Sequence, residues 1–345
     1  MRRYRRPISC YCRIRLTIVF VCISSIIIGI IHFNIPDLPT RVTKRIIKVL
    51  ERCPFFPSTV EENLKVVENY PFNISETLKR ELNLDEYGIK VNLNQTPDSQ
   101  IVLTSAASSA NYLEIQGFIS NVNIHVAPKF SDFEFIIFDI GLKKSEARFI
   151  KKNCYCRLRK FPFKEYPDHL GIVRTNTWKP VLIQLLFSEF HIVIWADSSV
   201  RFLGKPLDNL IHRTVTNGIQ LTEGGGSIAL RTNTITFKAL GEKPCMFDRP
   251  ELESSFISIF RNHFTLTSIM LPWVSCALQY NCMDFDFALK SITCLEKKSW
   301  SYGACHRFDQ SVLGIIITRL FSSDIENILF KLDDIAYIKR RHYVS

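Results

Sequence analysis

The sequence predicts an α/β fold, a mostly parallel sheet flanked by helices with a mixed C-terminal half, behind a single N-terminal transmembrane helix. Three observations predict it. From Ile101 onward, short apolar runs rich in β-branched residues alternate with longer helical stretches over about 245 residues, enough to bury one large core. Three of those runs end in hydroxyl or acidic residues, at Ser105, Asp139 and Asp197. Ahead of them, Leu16 to Ile35 contains no Asp, Glu, Lys or Arg, and Arg2, Arg3, Arg5, Arg6, Arg13 and Arg15 precede it with no acid among them.

Taken in order, residues 1–15 read as a cytosolic basic tail and 16–35 as a transmembrane signal anchor, since about 20 apolar residues of helix span a bilayer. The positive flank keeps the N-terminus in the cytosol. No small-x-small cleavage pattern follows, which favours a retained anchor over a removed signal peptide, the alternative being a secreted chain. Residues 36–98 mix Pro, Asn and charge and read as a luminal stem, with sequons at Asn73-Ile74-Ser75 and Asn94-Gln95-Thr96, the second weakened by Pro97. Residues 99–345 form the regular domain. Of the 11 cysteines, Cys10, Cys12 and Cys22 lie in or beside the membrane segment; the other eight, an even count in an oxidising compartment, predict disulfides. Zinc is disfavoured because no Cys-x-x-Cys pair occurs. Six of the charges behind the net +11 are the cytosolic arginines, so the basicity is no signal for nucleic acid.

Within the domain, Ile101 to Ser105 is a strand turning at Ala106-Ala107-Ser108-Ser109 into a helix over Asn111 to Asn121. Phe133 to Phe138 is a second strand, Lys144 to Lys152 a helix, and Cys156 to Phe163 a short strand. Trp178 to Phe190 is a helix with Pro180 tolerated in its first turn. His191 to Ala196 is a buried strand delivering Asp197. This βα succession implies right-handed crossovers and a cleft at the shared C-terminal edge. Afterwards the expected elements are strands Ile219 to Thr222 and Ser227 to Arg231 about a Gly224-Gly225-Gly226 turn, and helices over Phe256 to Gln279 and Gln310 to Leu320.

The candidate chemistry follows from that edge. A carboxylate there holds a divalent cation that neutralises phosphate, so Asp197 leads a metal site with Ser199 and His306, the ion being Mn2+ or Mg2+. The bland alternative is that Asp197 caps its own turn. Asp139 at the second strand end, Lys179 at a helix N-terminus and Arg201 four residues past Asp197 are candidates for an anionic donor. A solvated Lys179 and an Arg201 paired with Asp197 are the plain readings. In Cys305-His306-Arg307-Phe308-Asp309-Gln310-Ser311, Asp309 is a candidate to activate or orient an acceptor and Gln310 to bond a sugar; otherwise Asp309 caps its helix. No Lys-Ser/Thr follows the glycines, and no Gly-x-Ser-x-Gly or His-Glu-x-x-His occurs, which lowers phosphate-loop, hydrolase and zinc-protease readings.

Six ordered blocks give the chain a resemblance: Phe138-Asp139-Ile140-Gly141-Leu142; Phe161-Pro162-Phe163 with Tyr166-Pro167; Trp178-Lys179-Pro180; Trp195-Ala196-Asp197-Ser198-Ser199-Val200-Arg201-Phe202; Cys276-Ala277-Leu278 with Cys282; and Cys305 to Ser311. From about Ile101 to Leu320 it resembles an animal family, much expanded in nematodes, with a glycosyltransferase-A-like core. With the predicted anchor, the expectation is a type II Golgi or other secretory-pathway membrane protein. It would take a nucleotide sugar and transfer the sugar to a glycan, protein or lipid hydroxyl. Such transferases usually carry Asp-x-Asp at the key strand end; here Ser199 stands at the second position. Glu251-Leu252-Glu253-Ser254-Ser255-Phe256 also departs from the small, glycine-rich strand expected before the Cys276 helix and reads as a bulky acidic loop. These departures keep an inactive, membrane-anchored binding protein on the same scaffold as the alternative.

Overall fold

The computed structural model describes residues 53–84 and 100–340, apart from 58, 131–132, 287, 292–293, 295–300 and 323. The predicted span Leu16–Ile35 and the Asn94 sequon lie outside the described residues; among the described residues no helix is long and apolar enough to cross a membrane.

The expected parallel half is present. Strands β1 (Ile101–Ala107), β2 (Glu134–Asp139), β3 (Arg157–Lys160) and β4 (Ile192–Ala196) alternate with helices α3 (Tyr112–His125), α4 (Lys144–Asn153) and α5 (Trp178–Phe187). They form one sheet with β6 (Ile219–Ser227) and β7 (Pro250–Phe260) in the order β3-β2-β1-β4-β7-β6. The first four strands run parallel, and β7 lies antiparallel between β4 and β6. A small second sheet pairs β5 (Val200–Phe202) with β8 (Ala336–Ile338). Because both faces of the large sheet are covered, its central strands are continuously apolar and still alternate in partner. Val193 and Trp195 of β4 join the core with α5, α7 (Thr234–Ala239), α8 (Leu271–Leu278) and α9 (Asp309–Phe321). Ile192, Ile194 and Ala196 pack on the opposite face with α3 and α6 (Asp208–Asn217).

Three expectations need correction. Phe256–Phe260 is not helical: Leu252, Ile257 and Ile259 enter one core and Phe256 the other, so Pro250–Phe260 is an interior strand, and helix begins only with a π-helical turn at Thr265–Met270 that runs into α8. The Glu251–Phe256 stretch read as a loop is part of that strand. Gly224–Gly226 is not a turn but part of β6, and Ile228–Leu230, expected as strand, turns instead. A Cβ on Gly224 would stand 2.6 Å from Glu251 Cγ and one on Gly226 2.3 Å from Arg231 Nε, so these glycines make room for the Arg231–Glu251 ion pair.

The third correction concerns the stem. Residues from Phe55 belong to the same compact unit as the domain. Helices α1 (Val60–Glu68) and α2 (Glu76–Glu81) are capped by Thr59 and Ser75, and Val67, Tyr70, Leu82 and Leu84 are buried in the main core. Polar ties fix them. The Tyr70 hydroxyl donates to Glu242 Oε1 at 2.8 Å, Arg319 holds the same carboxylate, and Gln184 Nε2 donates to Leu82 O at 2.8 Å. The spacing of these few apolar residues among charges hid the burial. The predicted disulfides form: Cys154–Cys156, Cys276–Cys282 and Cys294–Cys305, with Cys53 and Cys245 also bonded.

Candidate functional site

From β1 the chain crosses to β2 on one side, and from β4 it leaves toward β6 and β7 on the other. That reversal opens a crevice between their C-terminal ends, the usual ligand position in open α/β sheets. The crevice encloses about 610 Å³ between Ser105, Ser108 and Asn111 after β1 and Asp197, Ser198 and Ser199 after β4. A 170 Å³ recess adjoins it, sharing Arg174, Asn176, Lys179, Asp197 and Arg340 and adding Glu253, Ser254 and the Arg307–Gln310 segment. The two strand ends are tied together: Asn111 Nδ2 donates to Ser198 Oγ at 3.0 Å, and that hydroxyl donates to Glu114 Oε2 at 2.9 Å.

Lys179 is the centre of this arrangement. Its position in the first turn of α5, a helix buried on nearly all sides, carries its side chain under the cleft rather than into solvent. The Nζ lies 2.9 Å from Asp309 Oδ2, 3.2 Å from Asp197 Oδ1, 3.2 Å from Ser254 O and 3.4 Å from Ser254 Oγ, over the Trp195 ring at 5.1 Å. Burial works against the ammonium, but Asp197 and then Asp309 overcome it and raise the Lys179 pKa. Asp197 receives a second hydrogen bond on Oδ1 from Trp195 Nε1 at 2.8 Å, while its side chain stays 34% exposed to the cleft. It is therefore not a turn cap.

Asp309 comes to the same point but from beneath, with its side chain only 2% exposed. It does not cap α9. Burial raises its pKa, with Lys179 pulling the other way. Phe308 before it has φ +48°, a conformation a bulky residue rarely holds, and this bend turns Asp309 toward Lys179. Asp309 thus orients Lys179 and does not reach an acceptor directly. Gln310 lines the recess, with its Oε1 3.5 Å from the Ser254 amide.

Three predicted site residues serve other purposes. His306 is fully buried: its Nε2 donates to Met283 O at 2.9 Å, and its Nδ1 accepts from Asn233 N at 3.3 Å. Burial pushes its pKa down to about 4, so the ring is neutral and both nitrogens are spent. It is a core histidine and no ligand. Arg201 is buried, bonding Ser198 O at 2.6 Å, Val200 O at 2.7 Å and Glu114 O at 3.1 Å, so it braces the Asp197–Ser199 turn instead of reaching a donor. Asp139 closes its own turn, its Oδ1 accepting from the Gly141 and Leu142 amides at 3.0 and 2.8 Å. Ser199 does line the crevice.

The expected manganese or magnesium can be tested against these donors. A hard cation needs several oxygen ligands, charged ones among them. Asp197 Oδ1 is engaged twice, Ser199 is neutral, His306 offers no free lone pair, and an ammonium stands between Asp197 and Asp309. Among the described residues no group of three or more His, Cys, Asp or Glu is arranged to hold a metal. The residues present do not fit the ion.

Sequence reasoning missed Ser254, Glu253, Arg174, Asn176 and Arg340 as cleft residues. Glu253 is half-buried in the recess; burial raises its pKa, the neighbouring Glu251 adds to this, and Arg340 and Arg307 oppose it. Reading Glu251–Phe256 as an interior strand would have put Glu253 and Ser254 beside the end of β4.

In comparisons with known proteins, residues 61–184 match a family described as "Protein of unknown function (DUF1647)". No curated protein matches in sequence. Similar solved structures include core-mannan synthase A (CmsA/Ktr4) of Aspergillus fumigatus in its Mn/GDP form, with a TM-score of 0.43 at 9% identity over 71% of this chain and 75% of that one. The mannosyltransferase Ktr4p of S. cerevisiae gives 0.36 at 12% identity over 68% and 75%. The galactosyltransferase LgtC with donor and acceptor sugar analogues gives 0.30 at 12% identity over 50% and 59%.

Proposed function

We propose that this chain is a glycosyltransferase that takes a nucleotide diphospho-sugar into the crevice between β1 and β4 and passes the sugar to a hydroxyl of a glycan, protein or lipid. The observation that carries the reading is the meeting of Asp197, Lys179 and Asp309 at the point where the sheet reverses its strand order, with Arg174, Arg307 and Arg340 around the same opening. Cations grouped at such a crevice suit a diphosphate. The six sequence blocks point the same way. In transfer, the acceptor oxygen bonds to the anomeric carbon, the bond from that carbon to the diphosphate oxygen breaks, and the electron pair leaves with the nucleoside diphosphate. The acceptor proton goes to a carboxylate, for which Glu253, raised in pKa and lining the recess, is suited.

The same reading anchors the chain by Leu16–Ile35 in a Golgi or other secretory membrane with its body in the lumen. Its support is the arginine-flanked apolar stretch and a set of disulfides suited to an oxidising compartment. A binding protein without turnover is favoured by one feature, the burial of Asp309, which leaves no second acid of the predicted pair facing the cleft. The test is a panel of nucleotide sugars offered to the full chain in detergent micelles, scored for thermal stabilisation and for donor hydrolysis. Stabilisation with hydrolysis, the hydrolysis lost in Glu253→Gln, supports the transferase; stabilisation alone supports the binding protein; neither, in folded protein, overturns both.

A further inference from the structure

We infer that this crevice binds a nucleoside diphosphate without a divalent cation, Lys179 having taken the place such an ion would hold. The inference rests on the donor reading above and specifies its chemistry. An acidic pair facing a phosphate site ordinarily calls for a metal, because two carboxylates would repel the ligand. Here the gap between Asp197 and Asp309 is filled by the Lys179 ammonium, which donates to Asp197 and Ser254 and forms an ion pair with Asp309, with the Trp195 face beneath. A metal ion on Asp197 would find Oδ1 already taken by Lys179 and Trp195, would have only Oδ2 to bind, and would sit beside a buried positive charge. Lys179 cannot swing out of the way easily, since α5 is buried on nearly every side and the side chain is 2% exposed.

The charge that a metal would bring to the phosphates is supplied from the walls. Arg174 and Arg340 are exposed side chains lining both the crevice and the recess, and Arg307 lines the recess with its buried Nε making no hydrogen bond among the described residues. None of the three forms an ion pair among the described residues. Lys179 neutralises Asp197 from below, and the arginines meet the diphosphate from the sides. Guanidinium is the suitable group, because its fixed fork grips two phosphate oxygens at once.

The experiment titrates UDP and GDP into the full chain in detergent micelles by calorimetry, once in EDTA and once with manganese, and follows manganese alone by electron paramagnetic resonance. The expected result is that one nucleotide binds in EDTA to within about twofold of its affinity with manganese, and that manganese alone stays unbound at millimolar levels. Arg174→Gln and Arg340→Gln, surface changes that leave the fold alone, should each weaken binding in EDTA by about tenfold. Lys179→Met should weaken it too and, where the variant folds, turn the remaining binding manganese-dependent. Binding that appears only with manganese in the unaltered chain overturns the inference while leaving the donor reading intact. No nucleotide binding under either condition overturns the donor reading, and the inference with it.

Discussion

Acidification should destabilise this protein steeply between about pH 6.5 and 4, through one histidine. His306 is sealed between the rings of Phe285 and Phe308, with centroids at 5.2 and 4.7 Å, and each ring nitrogen has a backbone partner that suits only the neutral tautomer. Burial moves its pKa from 6.5 to about 4. A group with a depressed folded pKa contributes stability that is present above the unfolded value and is lost as pH falls through the folded one. The displacement of about two and a half units is worth roughly 3 kcal/mol in all, at up to about 1.4 kcal/mol per pH unit inside the window. That is a large part of a typical stability of about 5–15 kcal/mol. Urea unfolding followed by tryptophan fluorescence at pH 7, 6, 5 and 4 measures it. His306→Gln should be less stable throughout but flatter with pH, so the difference between the two proteins shrinks on acidification. Parallel pH profiles for the two would refute the assignment, whatever the acids contribute to both.

Four further outcomes are expected. Asp309→Ala leaves Lys179 one partner short in a buried site and should cost about 3–5 kcal/mol in chemical denaturation, a loss below about 1 kcal/mol being incompatible with a buried pair. Gly117→Ala puts a Cβ 2.7 Å from an Arg201 nitrogen and should cost about 1–3 kcal/mol; an unchanged melting curve would mean that Arg201 does not cross there. Tyr70→Phe removes the hydroxyl bonded to Glu242 and should cost about 1–2 kcal/mol, whereas a free stem would register nothing. Glu253→Gln should lower transfer by a factor of about 10² or more while leaving nucleotide affinity nearly unchanged, and a parallel loss of both would remove it as the proton acceptor.

The parallel half of the fold was legible because each of its elements is local: one apolar run, one turn, one helix. Asp197 was legible for the same reason, since an acid at the end of a β-branched run has few other places to be. What the sequence hid are the pairings between distant segments. β7 joins β4 from about 60 residues further on, as an interior strand with both faces buried, so the period-2 signal that would have marked it is absent. With β7 misread, Ser254 and Glu253 were out of view, and Lys179 had no visible partner except a hypothetical ligand. His306 and Arg201 misled in a different way. Their types suit catalysis, but each has its hydrogen-bonding capacity used by backbone carbonyls and amides contributed from elsewhere in the chain, a fact no spacing in the sequence records.

The burial of Val67, Tyr70, Leu82 and Leu84 sets a rule for anyone producing the protein. A recombinant chain started at Gln100, where the regular alternation begins, would strip four buried apolar side chains from the main core and leave Glu242 and Arg319 without Tyr70. Such a product should be sticky and poorly expressed. A start just before Cys53 retains both helices and keeps that cysteine available for its disulfide.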